Sequence, residues 1–477
     1  MEELSHALLA GRSPGDAPGR SLGRRFMLSL AAEDSPHFPL SGFHTWYAER
    51  CARRFKVSRI PFDALEQWYS EPGSGNLRHR TGRFFSIEGL RAEDGDRVTA
   101  GDARPIIVQP EIGTLGLLVR EFGGVLHFLM QAKMEPGNIN TVQLSPTVQA
   151  TRSNYTRAHG GSVVRHLEYF ARPGRADVLV DLLQSEHGSY FLHKRNRHMV
   201  VETTEDVPPH GDFHWLTLGQ LRLLMRREHV VNMDSRTVLS CVPIDSAGFA
   251  PAGAAGFGAA VLRSLSPAAR PRHTLAELTR WLTDMRAGAP GSVRRVPLRD
   301  TERAGWVRTA DAIARPDGGG AFAVIGARVE ADNREVTSWS QPLLEPTGTA
   351  VHAFLATRLD GVLHVLVQAY EEAGSLNGPE LAPTVQCLPG ERSRYLDEVV
   401  SAPASRVHYD VLQSEEGGRF HRAESRNLLV EAPEGFPVEQ PPEYRWATLD
   451  QLARITRFGH HVNIQARTLL ACLPSTW

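Results

Sequence analysis

The stretch Gly124-Val-Leu-His-Phe-Leu-Met-Gln-Ala-Lys-Met-Glu-Pro-Gly-Asn-Ile-Asn-Thr-Val-Gln-Leu-Ser-Pro-Thr-Val-Gln149 returns as Gly361-Val-Leu-His-Val-Leu-Val-Gln-Ala-Tyr-Glu-Glu-Ala-Gly-Ser-Leu-Asn-Gly-Pro-Glu-Leu-Ala-Pro-Thr-Val-Gln386. Each copy opens on an apolar run fit for a buried strand, turns at Gly and Asn or Ser, and closes on a second extended piece. A chain of 477 residues exceeds what one hydrophobic core comfortably serves, so two domains of roughly 200 residues are expected. The repeat supplies their boundaries.

The matches are collinear. Asp181-Leu-Leu-Gln-Ser-Glu-His-Gly-Ser-Tyr-Phe191 is answered by Asp410-Val-Leu-Gln-Ser-Glu-Glu-Gly-Gly-Arg-Phe420, and Ile60-Pro61 by Val296-Pro297. Asn232, Arg236, Thr237 and Cys241 fall on Asn463, Arg467, Thr468 and Cys472. Helical spacing predicts helices over Phe43–Phe55, from Asp63 through Tyr69, from Thr217, and around Leu275–Met285, with strands between them. The expected organisation is a disordered leader over 1–40, a first module over 41–245, an Ala/Gly/Pro linker over 246–270 and a second module over 271–477. The fold class is α+β, two tandem duplicated modules.

Composition removes several function classes. The 53 Lys and Arg nearly balance 54 Asp and Glu, leaving a formal charge of -1, which disfavours nucleic acid as a partner. The longest apolar runs fall short of the roughly 20 residues a membrane span needs. Cys51, Cys241, Cys387 and Cys472 show no CxxC pairing and HExxH is absent, so no metal is expected and a reducing, cytoplasmic setting is the default. Walker, GxSxG and Rossmann motifs are missing as well.

Identities between the copies are mostly apolar or turn-forming and report the fold. Gln149/Gln386, Gln184/Gln413, Ser185/Ser414, Glu186/Glu415 and Arg197/Arg426 are the polar exceptions. Buried amides, carboxylates and guanidiniums need partners or a cleft, so these positions are candidates for a ligand pocket. The copies differ where Lys133 becomes Tyr370 and where Lys194-Arg-Asn-Arg197 becomes Ala423-Glu-Ser-Arg426. Only the first copy keeps a cationic run able to hold a diphosphate by charge-assisted hydrogen bonds.

Ser145-Pro-Thr-Val-Gln-Ala-Thr-Arg-Ser-Asn-Tyr155, with Met134-Glu-Pro-Gly-Asn138, Leu183-Gln-Ser-Glu-His-Gly-Ser-Tyr-Phe191 and Lys194-Arg-Asn-Arg-His-Met-Val-Val-Glu202, resembles the NDP-hexose 2,3-dehydratases of deoxysugar biosynthesis. Arg83-Phe-Phe-Ser-Ile-Glu-Gly89 and Gln109-Pro-Glu-Ile-Gly113 belong to the same resemblance, which runs from about Trp46 to Pro474. It implies a cytoplasmic homodimer with two modules similar to the Nudix fold but without the Nudix box. It further implies a dTDP-4-keto-6-deoxyhexose substrate, no cofactor, a separate downstream 3-ketoreductase, and two nucleotide-sugar pockets of which one is catalytic.

The chemistry such a family performs needs a base for the acidic C3 hydrogen, a donor to the C4 oxygen and an acid for the departing C2 hydroxyl. The expected assignments in the first copy are Glu186 or His187 as base, Tyr155 as acid, and Lys194 or Arg197 as donor. Lys133, Arg152 and Arg195 are expected on the diphosphate, Asn138, Gln149, Asn154 and Asn196 on the sugar, and Gln184 and Ser185 among the other substrate contacts. Gln386, Tyr395, Gln413, Glu415 and Arg426 mark a second pocket, with the first expected to be the working one. Two other readings stay open: a nucleotide-sugar binding protein without turnover, and an epimerase that enolises the same ketosugar.

Overall fold

Each copy of the repeat folds around a seven-stranded mixed sheet. The computed structural model describes residues 21–94, 103–151, 164–172, 174–207, 210–249, 255–289, 291–317, 319–331, 338–388 and 390–473. In the first half the strands run Asp177–Ser185, Arg195–Glu202, Gly113–Phe122, Val125–Met134, Phe213–Thr217, with Val142–Ser145 and Val148–Ala150 added at one end. The second half repeats this with Val407–Ser414, Glu424–Glu431, Ala350–Leu359, Val362–Tyr370 and Tyr444–Ala447, joined by Glu380–Ala382 and Val385–Cys387. One parallel pair sits inside each sheet, Arg195–Glu202 on Gly113–Phe122 and Glu424–Glu431 on Ala350–Leu359. Mixed α/β architecture in two similar halves is therefore what the duplication builds.

The halves do not stand apart. Two smaller sheets each borrow one strand from the other half: Phe55–Ile60 pairs antiparallel with Phe322–Ala331, and Gly291–Val296 with Ser86–Asp94. The exchanged strands are the duplicate pair that end in Ile60-Pro61 and Val296-Pro297, where proline, lacking an N–H, stops the ladder. Glycine marks each crossing. A methyl on Gly326 would fall 2.5 Å from the Ile60 carbonyl oxygen, and one on Gly89 2.8 Å from that of Pro297.

A single core joins the halves, with Phe26, Leu221 and Val238 sharing a cluster with Leu452, Ala466 and Leu469. At its centre the helices Met233–Leu239 and Ile464–Cys472 pack on each other. Their N-caps, Asn232 and Asn463, accept from Ser235 N at 2.8 Å and Ala466 N at 2.9 Å. Burying Val- and Leu-rich faces from both halves in one cluster makes their separation costly, at about 25 cal/mol per Å² of apolar surface.

Two stretches expected to lack structure carry a helix instead. Leu22–Ala31 lies inside the expected leader and buries Phe26, Met27 and Leu30; Phe257–Ser264 lies inside the expected linker and buries Ala260 and Val261. They are duplicates of one another. Ser29 Oγ donates to Leu126 O at 2.6 Å and accepts from Leu218 N at 2.9 Å. Ser264 Oγ likewise donates to Leu363 O at 2.6 Å and accepts from Leu449 N at 2.8 Å. A few apolar residues per turn suffice when a serine ties the helix to the sheet, and small surrounding residues hid the pattern.

The helix expected from Asp63 is also replaced. Phe55–Ile60 is a strand, Phe62–Ala64 a short 3-10 turn and Trp68–Ser70 a strand paired with Leu77–His79 of its own half. The helix expected at Thr217 forms, closed by a capping box with Gln220. Among the described residues no helix is long and apolar enough to cross a membrane.

Candidate active site

The strand Val125–Met134 runs into Glu135-Pro-Gly-Asn138, and this turn inserts into a loop of the other half. Gly137 N donates to Gly417 O at 2.7 Å and Gly137 O accepts from Arg422 N at 2.7 Å. The duplicate turn does the same: Gly374 N donates to Gly188 O at 2.7 Å and Gly374 O accepts from His193 N at 2.8 Å. Only glycine allows this approach, since a methyl on Gly137 would lie 1.5 Å from Phe420 O and one on Gly374 2.1 Å from Phe191 O. Each turn therefore meets the Glu-bearing loop of the opposite copy, and two composite clusters result.

The first cluster collects Glu135, Glu186 and Asp234 from the first half with Glu416 and Arg419 from the second. Glu135 is buried and accepts from Gln149 Nε2 at 2.8 Å and Lys133 Nζ at 3.3 Å. Glu186 Oε1 accepts from Asn196 Nδ2 at 2.7 Å, while Asn196 Oδ1 accepts from Gly113 N at 3.0 Å, so the amide is fixed at both ends. Lys194 donates to the backbone oxygen of Glu111. A methyl on Gly418 would lie 2.4 Å from Glu416 Oε1 and 3.8 Å from Glu135 Oε1, which puts both carboxyls beside one glycine.

Crowding sets the charge state of these groups. Burial raises Glu186 above the usual carboxylate range against the pull of Arg467, His187 and Lys194. Burial raises Asp234 too, aided by Glu135, Glu186 and Glu416. Glu416 is pushed up to about 7 by burial and the charges of Glu135 and Glu186, with Arg419 opposing. Burial lowers Lys194 to about 8, with Arg419 adding to the effect and Glu186 opposing it. Carboxyls of raised affinity beside an amine of lowered affinity are the conditions for proton transfer near neutral pH.

The second cluster is densely bonded around Glu372 and Glu415. Glu372 accepts from Gly188 N at 3.0 Å, Ser189 Oγ at 2.7 Å, Gln465 Nε2 at 3.1 Å and Gln386 Nε2 at 3.2 Å. Glu415 pairs with His187 Nε2 at 3.0 Å and accepts from Ser425 Oγ. Burial opposes the Glu415 charge, yet His187, His352 and Ser425 hold its carboxyl down at about 2. Burial likewise opposes the His187 charge, and Glu415 raises the imidazole above its ordinary value despite it.

The structure brings Lys133, Asn138, Gln149, Glu186, Lys194 and Asn196 into the first cluster and separates other expected members. His187 leaves it for the second, because its ring meets Glu415 and Gln465. Gln184 and Gln413 close helix ends of the opposite half, donating to Thr456 O at 2.6 Å and Met225 O at 2.8 Å. Ser185 donates to Glu380 at 2.7 Å in the same seam. Arg197 and Arg426 form exposed two-pronged pairs with Asp181 and Asp410. Arg195 lines an open cleft with His193, Arg294 and Arg295.

In the second half Gln386 and Glu415 stay together, but Tyr395 turns away to donate to Gln440 at 2.6 Å and pack on Tyr444. Arg152, Asn154 and Tyr155 lie outside the described residues. Glu135, Asp234, Glu416 and Arg419 were not expected. Glu135 matches Glu372 and was passed over as an identity, while Asp234 against Gln465, Glu416 against His187 and Arg419 against Tyr190 are differences between the copies.

The family model for NDP-hexose 2,3-dehydratase matches residues 40–242 and 275–473. A dTDP-4-dehydro-6-deoxy-alpha-D-glucopyranose 2,3-dehydratase of Amycolatopsis orientalis is 48% identical over 464 residues, covering 94% of this chain and 93% of that protein. Proteins of the same name from Saccharopolyspora spinosa and Streptomyces violaceoruber are 46% identical over 486 residues and 48% over 442. The first of these two alignments covers 99% of both chains; the other covers 91% of this chain and 96% of its relative. With both halves matched and near-full-length relatives at this identity, the chain belongs to the NDP-hexose 2,3-dehydratase family.

Proposed function

We propose that this protein removes water across C2 and C3 of dTDP-4-keto-6-deoxyglucose, giving a 3,4-diketo-2,6-dideoxy sugar. The substrate follows from the names of the relatives. The observation that supports the chemistry is the convergence of Glu186, held by Asn196, with Lys194 in one buried cluster. Glu186 takes the C3 proton, which is acidic because the carbanion delocalises into the C4 carbonyl. Lys194 donates to the C4 oxygen as charge develops there. Base and donor each contribute about 10²- to 10⁴-fold.

Loss of the C2 hydroxyl from the enolate yields an enol that relaxes to the 3,4-diketone, a substrate for a separate 3-ketoreductase. Lys133, Asn138 and Gln149 line the same cluster and would orient the sugar, with Arg152 and Arg195 on the diphosphate. The four free thiols suit a reducing, cytoplasmic setting. Two Nudix-like modules and a homodimer, both implied by the family resemblance, complete the reading; sedimentation equilibrium gives the assembly mass directly.

The test incubates the protein with dTDP-4-keto-6-deoxyglucose, a 3-ketoreductase and NADPH, with reductase alone as control, and measures products by mass spectrometry. A product reduced at C3 and lacking the C2 oxygen supports dehydration. Deuterium exchange at C3 without loss of the C2 oxygen identifies an epimerase. Binding with neither identifies a nucleotide-sugar binding protein.

A further inference from the structure

We propose that Glu416, contributed by the second half, is the acid that protonates the departing C2 hydroxyl in the pocket whose base is Glu186 of the first half. This deepens the dehydration reading and rests on it. The turn at Gly137 carries the argument, because its bonds to Gly417 and Arg422 bring the loop of Glu416 and Arg419 into the first half's cluster.

Glu416 is held but not used up. Its Oε1 accepts from Gly418 N at 2.8 Å, while Oε2 has no hydrogen-bond partner among the described residues. Asn138 is 9% exposed, and its Oδ1 is likewise without a partner and faces Gly417. Arg419 Nε, on the same loop as Glu416, is a buried donor also without a partner among the described residues. Buried polar groups ordinarily find partners, and a hydroxylated ligand supplies both donors and acceptors. Glu416 keeps part of its surface uncovered, while Oε2 itself is buried.

The duplicate position makes the contrast. His187 stands where Glu416 stands, but it is committed to Glu415 and Gln465, so that position of the second cluster offers no carboxyl. Around Glu416 the charged neighbours are Glu135, Glu186, Asp234, Lys194 and Arg419. Burial and the charges of Glu135 and Glu186 favour the protonated form over the pull of Arg419, in keeping with its rise to about 7.

The proton balance closes. Glu186 takes the C3 proton and the electron pair passes into the C4 carbonyl as an enolate. When the pair returns, C2=C3 forms, the C2–O bond breaks and Glu416 gives its proton to the leaving oxygen as water. Glu186 then returns its proton to C2 as Glu416 takes the proton of the C3 hydroxyl, forming the C3 carbonyl and resetting both carboxyls.

The two steps separate in deuterated water. Glu416→Gln is expected to keep deuterium exchange at C3 of recovered substrate while 2-deoxy product, trapped by the reductase, falls about 10²- to 10⁴-fold. Glu416→Asp is expected to restore part of the product. In the wild type, product formation is expected to decline as pH rises through about 7, and Glu416→Gln to lose that limb. Wild-type product formation by Glu416→Gln overturns the proposal, as does loss of exchange in both variants. The same split produced by Tyr155→Phe with Glu416→Gln unaffected also overturns it. A wild-type protein giving neither exchange nor product overturns the dehydration reading itself.

Discussion

His187 and Glu415 come from opposite halves of the chain and sit 3.0 Å apart as a buried ion pair. Removing one partner of such a pair leaves an uncompensated charge in the interior, which costs about 3–5 kcal/mol. Glu415→Gln is therefore expected to lower stability by about that amount at pH 6, measured by urea unfolding. The pH dependence has two limbs. Glu415 is depressed from 4.5 to about 2, so its contribution is complete above pH 4.5 and is lost as pH falls toward 2. His187 is raised, so its contribution is complete below its ordinary 6.5 and is lost as pH rises through the higher folded value. A wild-type advantage that persists undiminished at pH 2 would contradict the pairing.

Glu186→Gln tests the base. With the carboxylate gone, C3 exchange and 2-deoxy product are both expected to fall about 10²- to 10⁴-fold, because the first step is blocked and the second never begins. Asn196 can still hold the amide, so the fold should survive and unfolding midpoints should stay near wild type. Turnover unchanged in Glu186→Gln with loss in Glu415→Gln, at conditions where both variants remain folded, would move the reaction to the second cluster.

Arg197 was expected to touch substrate and instead grips Asp181 on the sheet surface at 2.6 and 2.5 Å. Side chains that remain 43% and 36% exposed pair in high dielectric, where such bridges contribute about 0–1 kcal/mol. Arg197→Ala should lower stability by no more than that and leave kcat and KM for the ketosugar unchanged. A large rise in KM would restore Arg197 to the site.

The strands and the duplication were legible because each copy keeps its apolar runs, its Gly turns and its helix caps, all of which are local. The exchange of Phe55–Ile60 and Gly291–Val296 was not. Either strand has the same alternation and the same terminal proline, so spacing alone cannot say which copy's partner it takes. The same blindness applies to Glu186 and His187. Reading Glu186 and His187 together as one pocket follows from their adjacency, yet Gly137 and Gly374 reach across the halves and hand each residue to a different cluster. Gln184 and Gln413 looked like ligand contacts because buried amides need partners; their partners are the helix-end carbonyls of Thr456 and Met225 in the opposite half. Polar identity between copies thus reported the seam at Gln184 and Gln413 but also the paired carboxyls Glu186 and Glu415, while polar difference set Glu416 against His187.

That asymmetry can be tested at the turns themselves. Gly137→Ala forces a methyl to within 1.5 Å of Phe420 O and 2.9 Å of Gly417 O, where neither backbone atom can yield cheaply. Relief requires the turn and the loop of Glu416 to part, which breaks the Gly137–Gly417 and Gly137–Arg422 bonds. Overpacking of this kind costs about 1–3 kcal/mol or more, and the displaced loop carries Glu416 and Arg419 away from Glu186. Gly137→Ala is therefore expected to lose 2-deoxy product far beyond its loss of stability, with folded protein verified by circular dichroism at the assay temperature. Gly374→Ala meets Phe191 O at 2.1 Å and Gly188 O at 2.5 Å, so its stability loss should be comparable. Its strain falls on the loop between Glu186 and Lys194, so a folded Gly374→Ala protein is expected to lose 2-deoxy product as well. Wild-type 2-deoxy product from a folded Gly137→Ala protein would separate the chemistry from the loop of Glu416.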